Sequence, residues 1–286
     1  MDIEGLARNL LCELKRIRPE KGLRLYERAV RCSETAAGPL PIWHVDAGRA
    51  LFVGPLGRNA PHAHSVPVYL AGLYEPFRLR IAGGSWRTCR TAVIPAGLPY
   101  EFDVAGQPLA VLYLEPSEAG AEALAPLATR TRDVDGALVG RGGELSLIRE
   151  VYEAPDGASR VGTALDDLMA FAKARGRRTL DPRISQAVAR LSAGTDDALR
   201  VAEVARAVGL SPSRFQHIFV EEVGVPFRRF RLWQRLRAAI AEIAAGASFT
   251  DAAHRAGFFD QAHFARTFRQ TFGAPASPSL RRVRRG

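Results

Sequence analysis

Side chains that can hydrogen-bond the edges of nucleic-acid bases occur in two segments near the C-terminus. Gln216 lies in the first segment, and Gln261 and Arg266 lie in the second. A glutamine amide can pair with adenine, whereas a guanidinium can pair with guanine. The helical pattern around these residues predicts that they face outward, which makes them candidate base contacts. An ordinary exposed helix position is the alternative for each, because helical phase fixes a face and not the atom that is touched.

The two segments are copies of one pattern. Residues 204–226 carry an apolar helical pattern that stops at Gly209 and continues with phenylalanines, and residues 252–275 repeat it around Gly257. Each copy predicts a helix, a turn in which glycine adopts a positive φ, and a second helix with a buried aromatic stripe. This arrangement is a helix-turn-helix, and it is present twice.

The helix boundaries follow from capping residues. Ser211, Ser248 and Asp260 are predicted to begin three of the helices, because their side-chain oxygens can accept from the first backbone N–H groups. A long helix over about 227–245 is predicted to connect the two copies and to span roughly 28 Å. A connector of that length would let one helix of each copy enter successive major grooves, which repeat every ~34 Å.

The positive charge of the chain is confined to the same region. From Arg177 to the C-terminus there are 19 arginines and no lysine against 9 acidic residues, whereas residues 1–176 carry 21 basic and 21 acidic side chains. The net charge of +10 therefore belongs to the paired helices, as expected of a surface that neutralises phosphates. A solvated helical surface or a membrane-surface binder is the alternative, and a uniform solvated surface would not explain the sharp boundary.

The length and the pattern of the chain predict an α+β protein with two separate cores. Residues 1–38 are predicted to form a helical extension. Short apolar runs separated by Gly, Pro and Asn over 39–116 predict an antiparallel β-sandwich or barrel. Residues 117–175 are predicted to be helical, with an amphipathic stripe that packs either on the barrel or on a second subunit. The predicted linker 176–181 leads to an all-α domain at 182–286.

Several classes of protein are not supported. No apolar run approaches the roughly 20 residues that span a bilayer, and the N-terminus has no signal pattern, so a cytoplasmic location is expected. Cys12, Cys32 and Cys89 are far apart and in no CxxC pattern, which supports neither a disulfide framework nor a zinc site. No acid and base stand at a recognisable catalytic spacing. We therefore expect no catalytic residue, no cofactor and no metal.

The C-terminal region resembles the DNA-binding domain of the AraC/XylS family of bacterial transcription regulators. The segment 256–273 carries the resemblance most closely. The resemblance implies base contacts from two helices, at Ser213, Gln216, His217, Gln261, Ala262, Ala265 and Arg266. Phosphate contacts are expected from Arg214, His263, Arg269, Arg281 and Arg282. Two departures concern helix ends: Arg200 replaces the usual hydroxyl cap, and the usual Gly-x-x-Pro ending is altered after Gly273.

The β-rich segment resembles the cupin-like sensor domain that often precedes this type of DNA-binding domain. His62 and His64 match the HxH of the first cupin motif, and Tyr100 replaces the histidine of the second. The carboxylate position of the metal site falls on Val68 or Tyr69. Because only two of the four ligands that the motif implies are present, metal-dependent catalysis is not expected.

The interior of this predicted barrel has two interpretations. The candidate effector pocket consists of His62, His64, Tyr69, Trp86 and Tyr100. Further aromatic residues could line an apolar pocket or simply fill the core, namely Trp43, Phe52 and Tyr113. For the two histidines, the alternative to ligand binding is that one ring is hydrogen-bonded in the wall and the other lies at the surface.

These features together predict a ligand-responsive transcription regulator. The sensor would bind an unknown small-molecule effector, and its state would alter how the two helix-turn-helix units engage double-stranded promoter or operator DNA. RNA polymerase is a candidate partner, and a homodimer through 117–175 is a candidate assembly. The alternative function is a cupin-type enzyme with an accessory nucleic-acid-binding domain, and a third is architectural DNA binding, for which the wedge residues are not seen.

Overall fold

The structure is a computed structural model that describes residues 39–46, 48–116, 121–173, 180–193, 200–280 and 283. The predicted helical extension at 1–38 and most of the predicted linker lie outside the described residues. Within them, ten strands form two antiparallel sheets. The strands are β1 (Ile42–Asp46), β2 (Arg49–Pro55), β3 (Val68–Gly72), β4 (Phe77–Ile81), β5 (Arg87–Cys89), β6 (Thr91–Ile94), β7 (Tyr100–Asp103), β8 (Pro108–Leu114), β9 (Ala128–Val134) and β10 (Ala137–Gly143).

The two sheets enclose a shared apolar interior. The larger sheet has the order β1-β2-β8-β3-β6-β10-β9, and the smaller has the order β5-β4-β7. β4 alternates as a half-buried strand should, because Phe77 and Leu79 are buried while Arg78 between them is exposed. The predicted cupin-like β domain is confirmed as an antiparallel two-sheet structure that does not close into a complete barrel.

The boundary of the β domain differs from the prediction. Residues 117–175 are not helical throughout, because β9 and β10 form a hairpin that extends the larger sheet. β9 is an edge strand whose five central residues are all exposed, so it lacks the apolar alternation by which strands are recognised. β10 ends in a glycine-rich stretch, which weakens the pattern further. The β domain therefore extends to Gly143.

Two helices cover the outer face of the larger sheet. These are α1 (Ser146–Glu153) and α2 (Gly157–Lys173). Their apolar stripe is buried against that sheet and includes Ile148, Val151, Tyr152, Leu165, Leu168 and Met169. Of the two partners considered for this stripe, the sheet of the same chain is the one that it contacts.

Seven helices follow in the described C-terminal region. They are α3 (Pro182–Ala193), α4 (Val201–Ala207), α5 (Pro212–Val223), α6 (Phe227–Ala244), α7 (Phe249–Arg255), α8 (Gln261–Phe272) and α9 (Ala276–Leu280). The predicted long connector corresponds to α6, and its bounds agree with the prediction within one residue. None of the described helices is long and apolar enough to cross a membrane.

The β domain and the C-terminal helices share one core rather than two. The described residues from Leu40 onward form one compact unit, and a continuous cluster of buried residues extends from the interior of the sheets into the helices. At the junction, the rings of Tyr113 and Trp233 lie 5.1 Å apart, and those of Trp43 and Phe272 lie 6.1 Å apart. The expectation of two separate cores is therefore corrected. Aromatic side chains on both partners make the junction a continuous apolar layer.

Candidate DNA interface and ligand cavity

The first helix-turn-helix places its predicted base contacts on one solvent-facing side of α5. We call these side chains the reading residues, and we call α5 and α8, which carry them, the reading helices. Gly209 turns the chain with a φ of +70°, and Ser211 accepts a hydrogen bond from the backbone N of Arg214 at 3.3 Å. The buried side of the helix includes Phe215, Ile218 and Phe219. The exposed side carries the three predicted base contacts, Ser213, Gln216 and His217. The predicted phase of this helix agrees with the burial of its side chains.

The second helix-turn-helix repeats this arrangement. Gly257 has a φ of +75°, and the Asp260 carboxylate accepts from the backbone N of His263 at 2.6 Å. The Thr250 hydroxyl donates to the side-chain oxygen of Gln261 at 3.1 Å, which fixes the orientation of that amide. The exposed side of α8 carries the four predicted base contacts, Gln261, Ala262, Ala265 and Arg266.

The predicted phosphate contacts fall into two groups. Arg214 and Arg269 are exposed near the reading residues of α5 and α8. His263 is only half-buried, and its ring meets the edge of Phe258 at 5.3 Å while its Nδ1 accepts from the backbone N of Phe259 at 3.4 Å. Arg281 and Arg282 lie outside the described residues. The structure thus gives His263 a local role in holding the start of α8.

Phe259 was missed by the sequence reasoning. Its side chain is 84% exposed, in the turn directly before α8, whereas the neighbouring Phe258 is buried in the helical core. The sequence does carry a signal for Phe259, because two phenylalanines follow Gly257. The turn needs only one of them in the core, so the other is left to face the solvent. An exposed aromatic ring beside a reading helix could meet the methyl group of a thymine.

At the start of α4, the side chain of Glu203 makes one of the two hydrogen bonds of a capping box. The backbone N of Arg200 donates to the carboxylate of Glu203 at 2.9 Å. This is the reciprocal half of a capping box, in which the third helical residue reaches back to the residue before the helix. Despite the departure from the family pattern at Arg200, the start of α4 therefore keeps this one capping hydrogen bond.

A cavity of about 320 Å³ lies between the β domain and the C-terminal end of α8. The β domain contributes Trp43, Phe52, Pro55, Leu56, Gly57, Arg58, Asn59, His62, His64, Tyr100, Phe102, Gly106, Val111 and Tyr113 to its wall. α8 and the residues after it contribute Phe268, Phe272, Ala274, Pro275, Pro278 and Ser279. A volume of this size fits a small organic molecule.

Both histidines of the predicted pocket lie in the cavity wall. His62 is 6% exposed and His64 is 2% exposed, and their ring centroids are 4.9 Å apart. The alternative that one of them lies at the surface is therefore corrected. Backbone hydrogen bonds hold this segment in place: His62 and Tyr100 exchange two of 3.0 and 2.8 Å, and the carbonyl of His64 accepts from the backbone N of Gly97 at 2.8 Å. Residues two positions apart on an extended chain point to the same side, so both rings face inward.

Burial keeps the two imidazoles neutral. It lowers the pKa of His62 to about 4, although the hydrogen bond from its Nδ1 to the carbonyl of Ala60 and the nearby carboxylate of Glu101 raise it. Burial also lowers the pKa of His64 well below its ordinary value, and the neighbouring His62 ring and Arg229 guanidinium lower it further, because each would repel a protonated His64 if charged. At neutral pH the cavity therefore presents two uncharged rings.

Tyr100 occupies the position at which the cupin motif would place its last histidine. Its ring lies 4.4 Å from that of His62 and 5.8 Å from that of His64. Within the described ranges, no group of three or more His, Cys, Asp or Glu side chains could hold a metal ion. The three rings therefore form an aromatic and imidazole cluster in the cavity wall.

Two residues of the predicted pocket lie elsewhere. Tyr69 packs in the cluster between the larger sheet and its covering helices, where its hydroxyl donates to the carbonyl of Leu127 at 2.9 Å. β3 is buried on both faces, and Tyr69 points to the face opposite the cavity. Trp86 lies outside the cavity wall and is surrounded by the guanidinium groups of three arginines at 4.9 to 5.3 Å, namely Arg58, Arg78 and Arg80. The expectation is thus corrected for Tyr69 and Trp86.

Hydrogen bonds join the cavity wall to the end of α8. The side-chain amide of Asn59 donates to the carbonyl of Phe272 at 2.6 Å, and the backbone N of Ala60 donates to the carbonyl of Gly273 at 2.9 Å. Both acceptors are carbonyls at the C-terminus of a helix, which have no partner within the helix. The β domain therefore caps the second reading helix.

The two tandem helix-turn-helix units and the two-sheet domain define a DNA-binding transcription regulator. The sequence family described as "Helix-turn-helix domain" matches residues 204–282. The match lies in the region whose sequence resembles the DNA-binding domain of the AraC/XylS type. No curated protein matches the chain at a significant level.

Solved structures of ToxT from Vibrio cholerae share the fold. The structure of wild-type ToxT from strain SCE256 bound to an unsaturated fatty acid has a TM-score of 0.53 at 12% identity, covering 84% of this chain and 97% of that chain. ToxT from strain O395 bound to (E)-4-(8-methylnaphthalen-1-yl)but-3-enoic acid also has a TM-score of 0.53 at 12% identity, covering 82% and 98%. A further ToxT structure has a TM-score of 0.54 at 11% identity, covering 82% and 98%. The likeness covers both the β domain and the helix-turn-helix region.

Proposed function

We propose that a small, largely apolar effector binds the cavity and thereby controls how the second helix-turn-helix reads DNA. The observation that carries this proposal is the double role of α8. Its inner face contributes Phe268 and Phe272 to the cavity wall, and its outer face carries Gln261 and Arg266. Whatever occupies the cavity therefore touches the same helix that presents the reading residues.

The coupling follows from the stiffness of the helix and from its bonds to the β domain. Phe268 and Phe272 stack with their ring centroids 4.2 Å apart, so a ligand that displaces one ring meets the other. The carbonyl of Phe272 is also held by Asn59. An effector that binds one arrangement of α8 better than another shifts the population toward that arrangement. The expected outcome is a change in DNA affinity on effector binding.

The DNA contacts of the proposal are divided between the two reading helices. We assign base recognition to Ser213, Gln216, His217, Gln261, Ala262, Ala265 and Arg266. Phosphate contact is assigned to Arg214 and Arg269, and Arg281 and Arg282 are further candidates outside the described residues. The exposure of the described members of both sets on one side of their helices supports this assignment.

The ligands of ToxT are consistent with an apolar effector, since that protein has been solved with an unsaturated fatty acid and with a naphthyl butenoic acid. The cavity wall of this chain is rich in aromatic and aliphatic side chains, as such ligands require. The proposal assigns no catalytic residue, because Glu101, the carboxylate near His62, is hydrogen-bonded to Arg58 and Arg80 and not to an imidazole of the described cavity wall. A turnover screen with carboxylic acids and ketones is therefore expected to give no product.

Further partners belong to the proposal as well. A DNA-binding regulator acts where the chromosome lies, so we expect the chain in the cytoplasm, and RNA polymerase is a candidate partner there. A homodimer through 117–175 remains a prediction.

Since the apolar stripe of α1 and α2 is buried on the sheet, such a dimer would use the exposed faces of these two helices. Sedimentation equilibrium of the full chain measures this directly, and a monomer at micromolar concentration would contradict it.

The test of effector control is a DNA-binding titration with and without cavity ligands. A fluorescent duplex, chosen from genomic fragments that the full chain retains, is titrated with oleate, 2-naphthoate or 2-acetylnaphthalene present. We expect at least one probe to change the DNA dissociation constant by about five- to a hundredfold. Val111→Phe fills the cavity from β8 and should abolish that response. Val93→Phe overpacks the other buried cluster and should keep it.

Two results would contradict the proposal. One is a Val111→Phe variant that folds, binds DNA and still responds to the probe like the parent chain. The other is a probe that binds the cavity without any change in DNA affinity. Binding to the same duplex and to a random duplex is compared throughout, because a change in phosphate attraction alone would affect both equally.

A further inference from the structure

Three polar groups in the cavity wall have no hydrogen-bond partner among the described residues. They are the indole Nε1 of Trp43, the Nδ1 of His64 and the hydroxyl of Tyr100. All three residues line the cavity, and their exposed fractions are 6%, 2% and 2%. Buried polar groups are normally paired, because an unpaired donor loses its bonds to water on burial and gains nothing in return. Three such groups around one space indicate that a bound molecule supplies the partner.

The three groups converge on one part of the cavity. The rings of Trp43 and His64 lie 6.1 Å and 5.2 Å from the ring of Phe272, and the ring of Tyr100 lies 5.8 Å from that of His64. The rings that carry the three polar groups therefore border the same part of the cavity. The remainder of the wall is mainly aromatic and aliphatic, so the rest of the ligand faces apolar side chains.

The chemistry of these groups selects an oxygen acceptor. The Trp43 indole can only donate, and the Tyr100 hydroxyl can donate while its proton is retained. Burial raises the pKa of Tyr100 well above its ordinary value, so the hydroxyl keeps that proton. His64 supplies either a donor or a lone pair, according to its tautomer. A carbonyl oxygen has two lone pairs and could accept from both donors.

The charges around the cavity disfavour an anion in this place. Among the described residues of the wall, Arg58 is the one with a permanent positive charge, and its guanidinium already donates to the carboxylate of Glu101 at 3.3 Å. Its side chain is 61% exposed, so it lies at the mouth and not in the interior. A carboxylate beside Trp43 and Tyr100 would be buried without a cation of its own, which is costly.

We propose that the cavity recognises an uncharged, mainly apolar molecule bearing a carbonyl group, whose oxygen accepts hydrogen bonds from the Trp43 indole and the Tyr100 hydroxyl. This proposal rests on the proposed function, since it names the class of the effector. It departs from the ligands of ToxT, both of which are acids. The ligand is a ketone, ester, amide or aldehyde with a ring system or chain that fits about 320 Å³.

The test compares three probes with one ring system, each titrated calorimetrically into the full chain at neutral pH. 2-Acetylnaphthalene carries the carbonyl, naphthalene lacks it, and 2-naphthoate carries a charge. We expect 2-acetylnaphthalene to bind about tenfold more tightly than either of the others. Equal affinity for 2-acetylnaphthalene and naphthalene would overturn the proposal, because the polar groups would then be satisfied by water alone. Tighter binding of 2-naphthoate, or no binding of any probe, would overturn it as well.

Variants of the two proposed donors test where the carbonyl group of the ligand binds. Trp43→Phe and Tyr100→Phe should each weaken 2-acetylnaphthalene about fivefold and leave naphthalene unchanged. The matched control is Tyr69→Phe, which removes a buried hydroxyl from the other cluster and should affect neither probe. If both cavity variants bind 2-acetylnaphthalene like the parent chain, the assignment of the donors is wrong. The comparison of probes on the parent chain does not depend on these variants folding.

The proposed ligand class and the proposed effector control can fail independently of each other. If 2-acetylnaphthalene binds in the expected order but leaves DNA affinity unchanged, the ligand class stands and effector control fails. If 2-naphthoate or oleate binds the cavity most tightly and shifts DNA affinity, effector control stands and the uncharged carbonyl class fails.

Discussion

The carboxylate of Glu115, at the end of β8, accepts a hydrogen bond from the indole Nε1 of Trp233 on α6 at 3.1 Å. The same oxygen lies 3.2 Å from the guanidinium of Arg237, and the side chains of Glu115 and Arg237 are 0% and 12% exposed. A buried carboxylate is thus bonded to two side chains of the helix that connects the two helix-turn-helix units. The β domain is attached to that connector by a polar contact inside an apolar junction.

Glu115→Gln should lower the free energy of unfolding by about 3 kcal/mol, because it removes the negative charge that lies 3.2 Å from the largely buried guanidinium of Arg237. Urea denaturation of the full chain followed by circular dichroism measures this. The control is Glu242→Gln, which breaks the exposed pair with Arg255 and should cost less than about 1 kcal/mol. Equal losses in the two variants would show that the buried pair does not stabilise the junction.

The contact of Gly273 with the cavity wall predicts an effect of adding one methyl group. Gly273 and Gly209 both have positive φ, at +67° and +70°. A Cβ at Gly273 would meet His62 Nδ1 at 2.6 Å and the carbonyl oxygen of Ala60 even more closely, whereas a Cβ at Gly209 would have no neighbour within 4 Å. Gly209→Ala should therefore cost only the backbone strain, about 1 kcal/mol.

Gly273→Ala should cost about 2 kcal/mol more than Gly209→Ala, because the end of α8 must also move away from the β domain. The two unfolding free energies are measured by denaturant titration under identical conditions. Similar losses at both positions would mean that α8 is not held against the cavity wall.

The buried histidines predict a loss of stability in acid. The pKa of His62 is lowered from 6.5 to about 4 in the folded chain, so between these values the unfolded state binds a proton that the folded state does not. Stability is therefore fully present above pH 6.5 and falls as the pH drops toward 4. His62→Gln should reduce the fall between neutral pH and about pH 4.5 by about 2 kcal/mol.

The measurement for this effect is urea unfolding at a series of pH values. His217→Gln, at an exposed position of α5, is the control and should keep the pH dependence of the parent chain. A parent chain whose stability rises as the pH falls through this range would contradict the burial of neutral rings.

The two arginines of α8 are expected to differ in what they recognise. Arg266→Ala should relax base preference at one position of the operator, by about 1 to 3 kcal/mol of discrimination. Arg269→Ala should weaken binding evenly across sequences and reduce the salt dependence of log K by about 1. Competition titrations with singly substituted duplexes at several salt concentrations distinguish the two effects. The reverse result would show that the face assigned to bases is rotated about the helix axis.

The local features of the helix-turn-helix region are predictable because each depends on a few neighbouring residues. Ser211 and Asp260 accept from backbone N–H groups three positions further on, as capping residues do. Gly209 and Gly257 adopt the positive φ that the turn requires. The phase of each reading helix follows from its phenylalanines. None of these features needs a contact with a distant part of the chain.

The β hairpin and the cavity could not be predicted in the same way. β9 has exposed side chains along its middle, so its pairing with β10 leaves no apolar pattern in the sequence. The cavity is formed by segments far apart in the chain, since the β domain supplies His62 and α8 supplies Phe272. A local pattern cannot place two such segments together. Tyr69 and Trp86 have suitable side chains, but strand direction and the neighbouring arginines place them elsewhere.

The two faces of α8 have a consequence for anyone who wishes to retarget this protein as a biosensor. Changing Phe268 or Phe272 to admit a new inducer would also disturb the scaffold of Arg266, so inducer preference and promoter preference would drift together. Phe52 and Val111 also line the cavity, but they belong to β2 and β8 and not to a helix that carries predicted base contacts. Libraries of variants at these two positions should therefore change which inducers the protein binds, while its preference for operator sequence stays constant.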